Sequence, residues 1–446
     1  MVYSRSPDTQ LSDARSCAAA VVHDVLHRRR PFDDALSGRP DLGALEPRDR
    51  AFARLIAATT LRRLGQIDAV IAHCLDRPLP DKAARGTDIL RTGMAQILFM
   101  DTPSHAAVDR TVAQFEGRVL TPYRKLANAI MRRAVREGAA LITEQDAARL
   151  NTPEWLWQAW QAAHGDDICR RIADMHGQEP MLDITLKAPD ADPTGWAERL
   201  GADILPTGTL RRATGGLVRD LPGFAEGAWW VQDAAASLPA KLLIGALGAT
   251  FEGLKIVDLC AAPGGKTAQL AAAGLDVTAI DRSPARMKRL SENLDRLGLK
   301  AEMIEAAAED WRPPEPVDAI LLDAPCTATG TIRRHPDIAW LKSATDVARM
   351  AEVQSRLLTA AGELVKPGGI LVYSVCSIQK EEGPAQIAAF LADGAPFERV
   401  PVTPDEVGGL AEAVTADGDV LTLPCHLAEK GGLDGFFAAR LRRLDS

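Results

Sequence analysis

Apolar residues recur every three or four positions along residues 12–140, with polar residues between them. This spacing is typical of amphipathic helices, and Pro or Gly stands at the joins between the periodic segments. No part of this region alternates apolar and polar residues in the manner of a strand. We therefore predict an all-helical domain over residues 1–145. Its predicted helices are Ala14–Leu26, Arg50–Leu64, Ile67–Cys74, Ala83–Phe99, Ala106–Phe115 and Tyr123–Arg136.

The pattern is mixed over residues 146–235. A Trp-rich helix begins after Pro153, an extended segment follows at Met181–Leu186, and a further helix is expected at Thr194–Leu200. A short strand-like piece lies near Gly216–Arg219. We interpret this region as a small α+β linker module.

Short apolar β runs alternate with helices over residues 236–446, and a last antiparallel strand is expected after Gly435. Such alternation predicts a parallel, doubly wound α/β sheet of the Rossmann-like kind, so the chain is expected to be multidomain. The predicted strands are Lys255–Leu259, Asp276–Ile280, Ala301–Ile304, Ala319–Leu322 and Ile370–Ser374. The predicted helices between them are Thr267–Ala273, Pro284–Leu297 and Thr345–Val365.

Composition narrows the class of protein. With 46% hydrophobic and 25% charged residues, the chain resembles a folded globular protein and not a disordered one. It has no run of about 18 apolar residues that would predict a membrane span, and its start lacks the apolar core of a signal peptide. For that reason we expect no membrane contact. The seven cysteines are scattered without CxxC spacing, so we also expect no metal site and a reducing, cytoplasmic location.

The charge is unevenly distributed along the chain. The net charge is −8, yet residues 1–150 carry 23 Lys and Arg against 18 Asp and Glu. All but Lys82 and Lys125 of these basic residues are Arg, the side chain that best grips phosphate. An RNA-binding face and an Arg-rich helical surface without that role fit this balance equally well.

The first strand of the α/β region leads into a turn of small residues, Cys260-Ala-Ala-Pro-Gly-Gly-Lys266. The turn lacks the glycine spacing of a P-loop and of the dinucleotide fingerprint. Gly264 and Gly265 allow close backbone approach, and the amides that open the next helix can bind a carboxylate. Asp281 ends the second strand, where such sheets bind ribose hydroxyls. An amino acid joined to a nucleoside satisfies both features, which predicts S-adenosylmethionine as the cofactor.

Two further strands are each followed by a cysteine, in Asp323-Ala-Pro-Cys326 and in Tyr373-Ser-Val-Cys376. Because the carboxyl ends of the strands face the ligand crevice in open α/β sheets, both thiols are expected at one site. A single buried cysteine is more often inert packing. Two cysteines beside Asp323 instead indicate nucleophilic attack on a soft, polarised carbon.

These motifs resemble those of the RNA cytosine-5 methyltransferases of the RsmB/Nop2/Sun group. The N-terminal helices are similar to the NusB RNA-binding fold, and the resemblance covers nearly the whole chain. The motifs of the group are Asp258–Thr267, Asp323–Cys326 and Tyr373–Ser377. The stretch Thr331–Trp340 looks like the bacterial branch that acts on small-subunit ribosomal RNA. Ser104–Val108 and Asn128–Arg133 are the segments similar to the NusB fold.

The resemblance implies methyl transfer from S-adenosylmethionine to C5 of a cytosine in RNA, with 16S ribosomal RNA, free or in an early assembly intermediate, as the expected partner. It implies that Cys376 attacks C6, that Cys326 assists release, and that Asp323 contacts the base near N3 in an unstacked target. We expect a monomer. The implied cofactor-binding residues are Cys260, Ala261, Ala262, Pro263, Gly264, Gly265, Lys266, Asp281, Asp310 and Asp323.

The chain departs from the group's pattern at several positions. Ala328 replaces a glycine after the first cysteine, and Val375 stands where Thr is frequent. Alanines occupy the usual place of the acid that contacts the adenine, so Glu309 or Asp310 is expected to substitute. The basic run Arg333-Arg-His335 is expected to bind phosphate near the target base.

Two other functions remain open at this point. The chain could be an RNA-binding protein whose catalytic domain is degenerate, or a DNA cytosine methyltransferase, whose nucleophile would be Cys326. The presence of both Cys326 and Cys376 with Asp323 favours the RNA enzyme. The modified nucleotide is not specified by the sequence.

Overall fold

The chain forms two compact units in the computed structural model, which describes residues 13–188, 192–213, 215–248 and 250–445. Unit 1 comprises Met1–Gly177 and His335–Lys342, and unit 2 comprises Gln178–Arg334 and Ser343–Ser446. The predicted linker module is thus divided, with residues 146–177 in unit 1 and residues 178–235 in unit 2. The expectation about a signal peptide concerns a start that lies outside the described residues. Among those described, no helix has both the length and the apolar character needed to cross a membrane.

Unit 1 is helical wherever it is described, as the apolar periodicity predicts. Its first helix begins where the Asp13 carboxylate accepts the Ser16 amide at 2.8 Å. α1 packs on α4 and α6, and α6 packs on α9. The helices are α1 (Ala14–Arg28), α2 (Phe32–Ser37), α3 (Pro40–Gly43), α4 (Pro47–Arg62), α5 (Leu64–Cys74), α6 (Ala84–Leu98), α7 (Ser104–Ala113), α8 (Gly117–Leu120), α9 (Arg124–Thr143), α10 (Ala147–Leu150), α11 (Glu154–His176) and, from the second segment, α16 (Ile338–Leu341).

The segment His335–Lys342 belongs to the core of unit 1 although it follows the Cys326 loop in the sequence. The Trp340 indole packs on the cluster that contains Phe32 and donates its Nε1–H to the Leu61 carbonyl at 2.9 Å. The Asp337 carboxylate accepts the Phe32 amide at 2.9 Å. The motif Thr331–Trp340 therefore contributes its second half to the packing of the helical unit.

A small antiparallel sheet with the order β2-β3-β1-β4 opens unit 2, with one helix beside it. The predicted strand near Gly216–Arg219 is wrong, because Val218–Asp220 forms a 3₁₀ turn there. The strands and the helix are β1 (Leu182–Leu186), α12 (Pro193–Leu200), β2 (Asp203–Ile204), β3 (Leu210–Arg212) and β4 (Trp229–Val231).

The main sheet of unit 2 has the order β10-β12-β9-β8-β5-β6-β7, with β11 paired to β12. The pairs within β9-β8-β5-β6-β7 are parallel, and β12 runs antiparallel to β9, as predicted. The strands are β5 (Ile256–Leu259), β6 (Val277–Asp281), β7 (Glu302–Glu305), β8 (Val317–Asp323), β9 (Val365–Val375), β10 (Phe397–Arg399), β11 (Val420–Thr422) and β12 (Phe436–Arg443). The helices are α13 (Leu238–Ala246), α14 (Gly265–Ala272), α15 (Pro284–Leu297), α17 (Ala344–Leu364) and α18 (Pro384–Ala392).

Helices cover both faces of this sheet, which explains the continuous apolar runs of its strands. Residues 317–322 of β8 are all buried, and only Asp323 at its carboxyl end emerges. The chain order reverses between β5 and β8, since β6 and β7 extend the sheet on one side and β9 on the other. Ligands bind at such a reversal, outside the carboxyl ends of the strands. The structure confirms the predicted fold class, and the reversal between β5 and β8 is where we look for the site.

A buried ion pair supports the small sheet. Arg211 on β3 donates through Nε and Nη2 to the two oxygens of Asp183 on β1, both at 2.6 Å, and each side chain is under 5% exposed. The Asp183 carboxylate also accepts the Ala234 amide at 3.0 Å. The pair therefore ties β1 and β3 to the segment that leads into the main sheet.

We predict that Arg211→Ala lowers the free energy of unfolding by about 3–5 kcal/mol, because Asp183 would stay buried without its counter-charge. Urea denaturation followed by Trp fluorescence measures this, since Trp229 and Trp230 lie on the neighbouring strand β4. Arg219→Ala is the control, because Arg219 is 64% exposed. Equal effects of the two substitutions would contradict the prediction.

Candidate active site

The carboxyl ends of β5, β6, β8 and β9 line one cleft of unit 2. Both predicted catalytic thiols, Asp323 and Asp281 face it, together with Cys260 from the cofactor turn. The residues lining the cleft are Cys260, Ile280, Asp281, Arg282, Arg286, Ala306, Ala307, Ala308, Glu309, Asp323, Ala324, Pro325, Cys326, Ala328, Val353, Leu357 and Cys376. The expected convergence of the two cysteine motifs with the cofactor turn is therefore what the structure shows.

The two thiols touch each other. The Sγ atoms of Cys326 and Cys376 are 3.4 Å apart, within hydrogen-bond distance for sulfur. The hydrogen bond with Cys376, and after it burial, raises the pKa of Cys326 well above its usual range. Cys326 therefore keeps its proton and can share it with the Cys376 sulfur.

The cofactor turn brings backbone close to the cleft. Gly264 caps α14 with φ +100°, and a Cβ there would lie 2.9 Å from Cγ of Leu290. The first amides of α14 have no intrahelical partners and are available to an anion. Burial raises the pKa of Cys260 to about 12, so this third thiol of the cleft remains protonated and is a poor nucleophile.

Asp258 lies beneath this turn at the end of β5 and is 1% exposed. Its Oδ2 accepts the Thr267 hydroxyl at 2.6 Å, whereas its Oδ1 has no hydrogen-bond partner among the described residues. Burial, opposed by the Thr267 hydrogen bond, raises its pKa to about 7. The strand that carries the cofactor turn thus ends in a carboxyl group that is costly to ionise.

Asp281 braces the cofactor turn as well as facing the cleft. Its carboxylate accepts the amides of Ser283 at 3.0 Å and Ala262 at 3.3 Å. Arg286, on the first turn of α15, lies 3.3 Å from Asp281 Oδ2 and also donates to the Ala262 carbonyl. Sequence reasoning missed Arg282 and Arg286; the signal was basic residues shortly after a strand that ends in an acid.

Asp323 is held by two partners. Lys266 Nζ lies 2.7 Å from Oδ2, and the Ser374 hydroxyl donates to Oδ1 at 3.0 Å. The Lys266 ammonium also lies 4.8 Å from the centre of the Phe436 ring. Lys266, expected from its motif to contact the cofactor, is thus directed at Asp323 and joins the cofactor turn to the cysteine side of the cleft.

Of the two acids expected to contact the adenine, only Glu309 lines the cleft. Asp310 is exposed and is not among the residues that line the cleft, which instead includes Glu309 and Ala306–Ala308. The turn after β7 is closed by hydrogen bonds from the amides of Asp310 and Trp311 to the Ala307 carbonyl. This turn directs Asp310 to solvent, so Glu309 replaces Asp310 as the candidate.

The prediction that Arg333 binds phosphate is wrong. Its side chain is 1% exposed and lies between Asp233 at 2.8 Å and Asp434 at 3.4 Å. Arg334 pairs with the other oxygen of Asp434, and its side chain is 35% exposed. His335 lies in unit 1, 3.5 Å from an Asp33 oxygen. The basic run is divided between a buried ion-pair network and the helical unit.

One group outside the cleft has atoms placed as metal ligands would be, which the sequence analysis did not anticipate. His23 and His27, one turn apart on α1, both approach Oδ2 of the buried Asp88, at 2.9 and 3.1 Å. Arg91 donates to the other oxygen of Asp88 at 2.9 Å. Every oxygen of Asp88 therefore has a donor, and the group is satisfied without an ion.

The cleft fits S-adenosylmethionine. Of the predicted cofactor residues, Cys260, Asp281 and Asp323 line the cleft, whereas residues 261–266 do not, and Gly264 packs against Leu290. The amides at the start of α14 suit the carboxylate of the cofactor, and Asp281 stands where ribose hydroxyls bind. A doubly wound sheet with this site defines the class of S-adenosylmethionine-dependent methyltransferases.

The comparisons with known proteins narrow this class. Residues 248–442 match the family described as 16S rRNA methyltransferase RsmB/F, and residues 12–136 match the NusB family. The ribosomal RNA small subunit methyltransferase B of Klebsiella pneumoniae (strain 342) is 35% identical over 392 residues, covering 85% of this chain and 89% of the relative. Its counterpart in Salmonella arizonae is 34% identical, covering 96% and 98%. The chain belongs to the 16S rRNA methyltransferase RsmB/F family, whose reaction is S-adenosylmethionine-dependent methylation of ribosomal RNA.

Solved structures agree on the fold. The crystal structure of PH0851 matches 97% of this chain and 99% of its own with a TM-score of 0.72 and 23% identity. NSun6 from Pyrococcus horikoshii matches 66% of this chain and 99% of its own with a TM-score of 0.53 and 19% identity.

We predict that Gly264→Ala weakens S-adenosylmethionine binding at least about tenfold, since it strains the backbone by about 1–2 kcal/mol and drives a methyl group against Leu290. Isothermal titration calorimetry measures this affinity. Gly274→Ala is the matched control, because Gly274 has φ +88° but open space around it. Equal affinities for the two variants would refute the role of this close approach.

We predict that Asp258→Asn becomes more stable relative to the unmodified protein as pH rises from about 4 to 7. The buried carboxyl holds its proton up to about pH 7, whereas the unfolded chain loses it near 3.8. Stability is therefore lost over this range in the unmodified protein and not in the variant. Unfolding free energies of both proteins at several pH values test this, and a difference independent of pH would contradict it.

Proposed function

We propose that the protein transfers a methyl group to C5 of a cytosine in 16S ribosomal RNA through a covalent bond between Cys376 Sγ and C6. The observation that supports this most is the contact between Cys376 and Cys326 at 3.4 Å in the cofactor cleft, beside Asp323. Addition to C6 makes C5 nucleophilic, and cysteine suits addition to such a polarised carbon.

The division of labour between the thiols follows from their protonation. During attack Cys376 gives its own proton to solvent, while the Cys326 thiol keeps its proton and donates a hydrogen bond to the Cys376 sulfur. After methylation, C5 must lose its proton before the C6–S bond can break. To act as this base, Cys326 first gives its own proton to solvent. The thiolate that remains has a high proton affinity because its pKa is raised, and it takes the C5 proton. Cys376 then leaves with the bonding electron pair.

Asp323 and Lys266 act on the ring during attack. Asp323 contacts the base near N3. Lys266, whose Nζ lies 2.7 Å from Asp323 Oδ2, offsets the negative charge that builds on the ring. When bound, S-adenosylmethionine supplies an electrophilic methyl group on a sulfonium sulfur. The amides of α14 and Asp281 would hold it, with Glu309 as the candidate contact to the adenine.

The target cytosine must leave its stack to reach this cleft. The NusB-like helices are the second candidate RNA contact, because residues 1–150 carry an excess of basic residues. We infer a reducing cytosol, because two thiols in contact stay reduced only in a compartment that disfavours disulfides. The expectation of a monomer stays a prediction.

Substitution of each cysteine tests the mechanism. We expect Cys376→Ala to lower methyl transfer at least about 10³-fold, because the thiol that adds to C6 is removed. We expect Cys326→Ala to accumulate a covalent protein–RNA adduct, visible on denaturing gels with labelled RNA, because attack proceeds and release does not.

Cys74→Ala is the control, since Cys74 belongs to unit 1 and the residues that line the cleft belong to unit 2. Methyl transfer that survives Cys376→Ala would refute the nucleophile. DNA of the same sequence serves as the alternative substrate, and bisulfite sequencing of ribosomal RNA from cells with and without the gene locates the modified cytosine.

A further inference from the structure

One buried carboxylate next to the cleft has no part in the reaction described above. Glu382 lies in the loop between β9 and α18 and is 0% exposed. Its Oε1 accepts the Thr327 amide at 2.8 Å and the Gln354 side-chain amide at 3.1 Å. Its Oε2 accepts the hydroxyls of Thr327 and Ser377. Among the described residues it forms no ion pair, so these four donors stabilise the carboxylate.

Three of the four donors belong to immediate neighbours of the two catalytic thiols. Thr327 follows Cys326 in the chain, and Ser377 follows Cys376. One carboxylate thus holds the loop after β8 and the loop after β9 to the same point, close to the position where their thiols touch.

Two further hydrogen bonds strengthen this link. Gln354 on α17 also donates to the carbonyl of Pro325, the residue before Cys326, at 2.9 Å. The Tyr373 hydroxyl, on the strand that leads to Cys376, donates to the backbone carbonyl of Glu382 at 2.6 Å. Hydrogen bonds of Glu382 and of its partner Gln354 therefore hold residues on the N-terminal and the C-terminal side of each thiol.

We propose that Glu382 is the positioning residue that holds Cys326 against Cys376. The proposal rests on the proposed function in one respect: release needs a base at C5 while Cys376 is bonded to C6, the adjacent ring atom. The two sulfurs must therefore stay within contact distance, and Glu382 is the group that joins their loops. Its loss slows release more than attack.

The first test measures the thiol pair alone, without RNA or cofactor. Diamide oxidises two neighbouring thiols to a disulfide: a Cys326–Cys376 bond forms, two protons and two electrons are lost, and diamide is reduced to the hydrazine. We expect Glu382→Ala to slow this reaction at least about tenfold, measured by peptide mass mapping, because the sulfurs no longer share a fixed position.

Glu382→Gln keeps one oxygen to accept from Thr327 and Gln354, and its amide can donate to hydroxyls that turn to receive it. We therefore expect an intermediate rate, a rescue that a loss of folding would not give. Glu381→Gln, in the same loop and exposed, is the matched control and should react as the unmodified protein does. Should Glu382→Ala fail to fold, Thr327→Val removes one donor and should show a smaller slowing.

The second test follows the reaction with RNA. We expect Glu382→Ala, with both cysteines present, to accumulate the covalent adduct and to lose kcat at least about tenfold with little change in KM. Unchanged diamide rates in Glu382→Ala and Thr327→Val would overturn the proposal. Methyl transfer that survives Cys376→Ala would instead overturn the proposed function and leave the diamide result standing, so the two failures are distinguishable.

Discussion

The site depends on a geometric constraint: parallel strands end at the same edge of their sheet. β5, β8 and β9 are neighbours and parallel, so the turn after β5 and the cysteines after β8 and β9 meet although over a hundred residues separate the first from the last. Reversing one strand would move its chemistry to the opposite edge. The strand order therefore determines the site before any side chain does.

Buried charge then fixes the details of this edge. The half-buried Asp323 is paired with Lys266, and the buried Arg333 is paired with Asp233 and Asp434. Glu382 has no counter-charge among the described residues and depends on four hydrogen-bond donors. Each of these groups would be costly to bury alone, so each favours one arrangement of the loops around the cleft over its alternatives.

The fold was largely predictable because its strands are buried on both faces and read as continuous apolar runs; β5, β6, β8 and β9 all lie where the sequence places them. The small sheet was harder. β3 is only three residues long and carries Arg211, whose burial depends on Asp183, 28 positions earlier. The prediction that Arg333 binds phosphate failed for the same reason. Its partners lie about a hundred residues away, and its motif resembles an exposed basic loop. Local pattern cannot reveal a partner at that distance, and so it also missed Glu382.

The segment His335–Lys342 gives the molecule an unusual division. Because Trp340 and Asp337 complete the core around Phe32, unit 1 is not a continuous stretch of chain. A fragment that ends at Gly177 would leave an apolar surface uncovered and would be prone to aggregate. For the same reason, a chimera that exchanges the N-terminal helices between relatives must also exchange this short insertion. The helical and catalytic parts are therefore expected to be inherited together and not shuffled as separate modules.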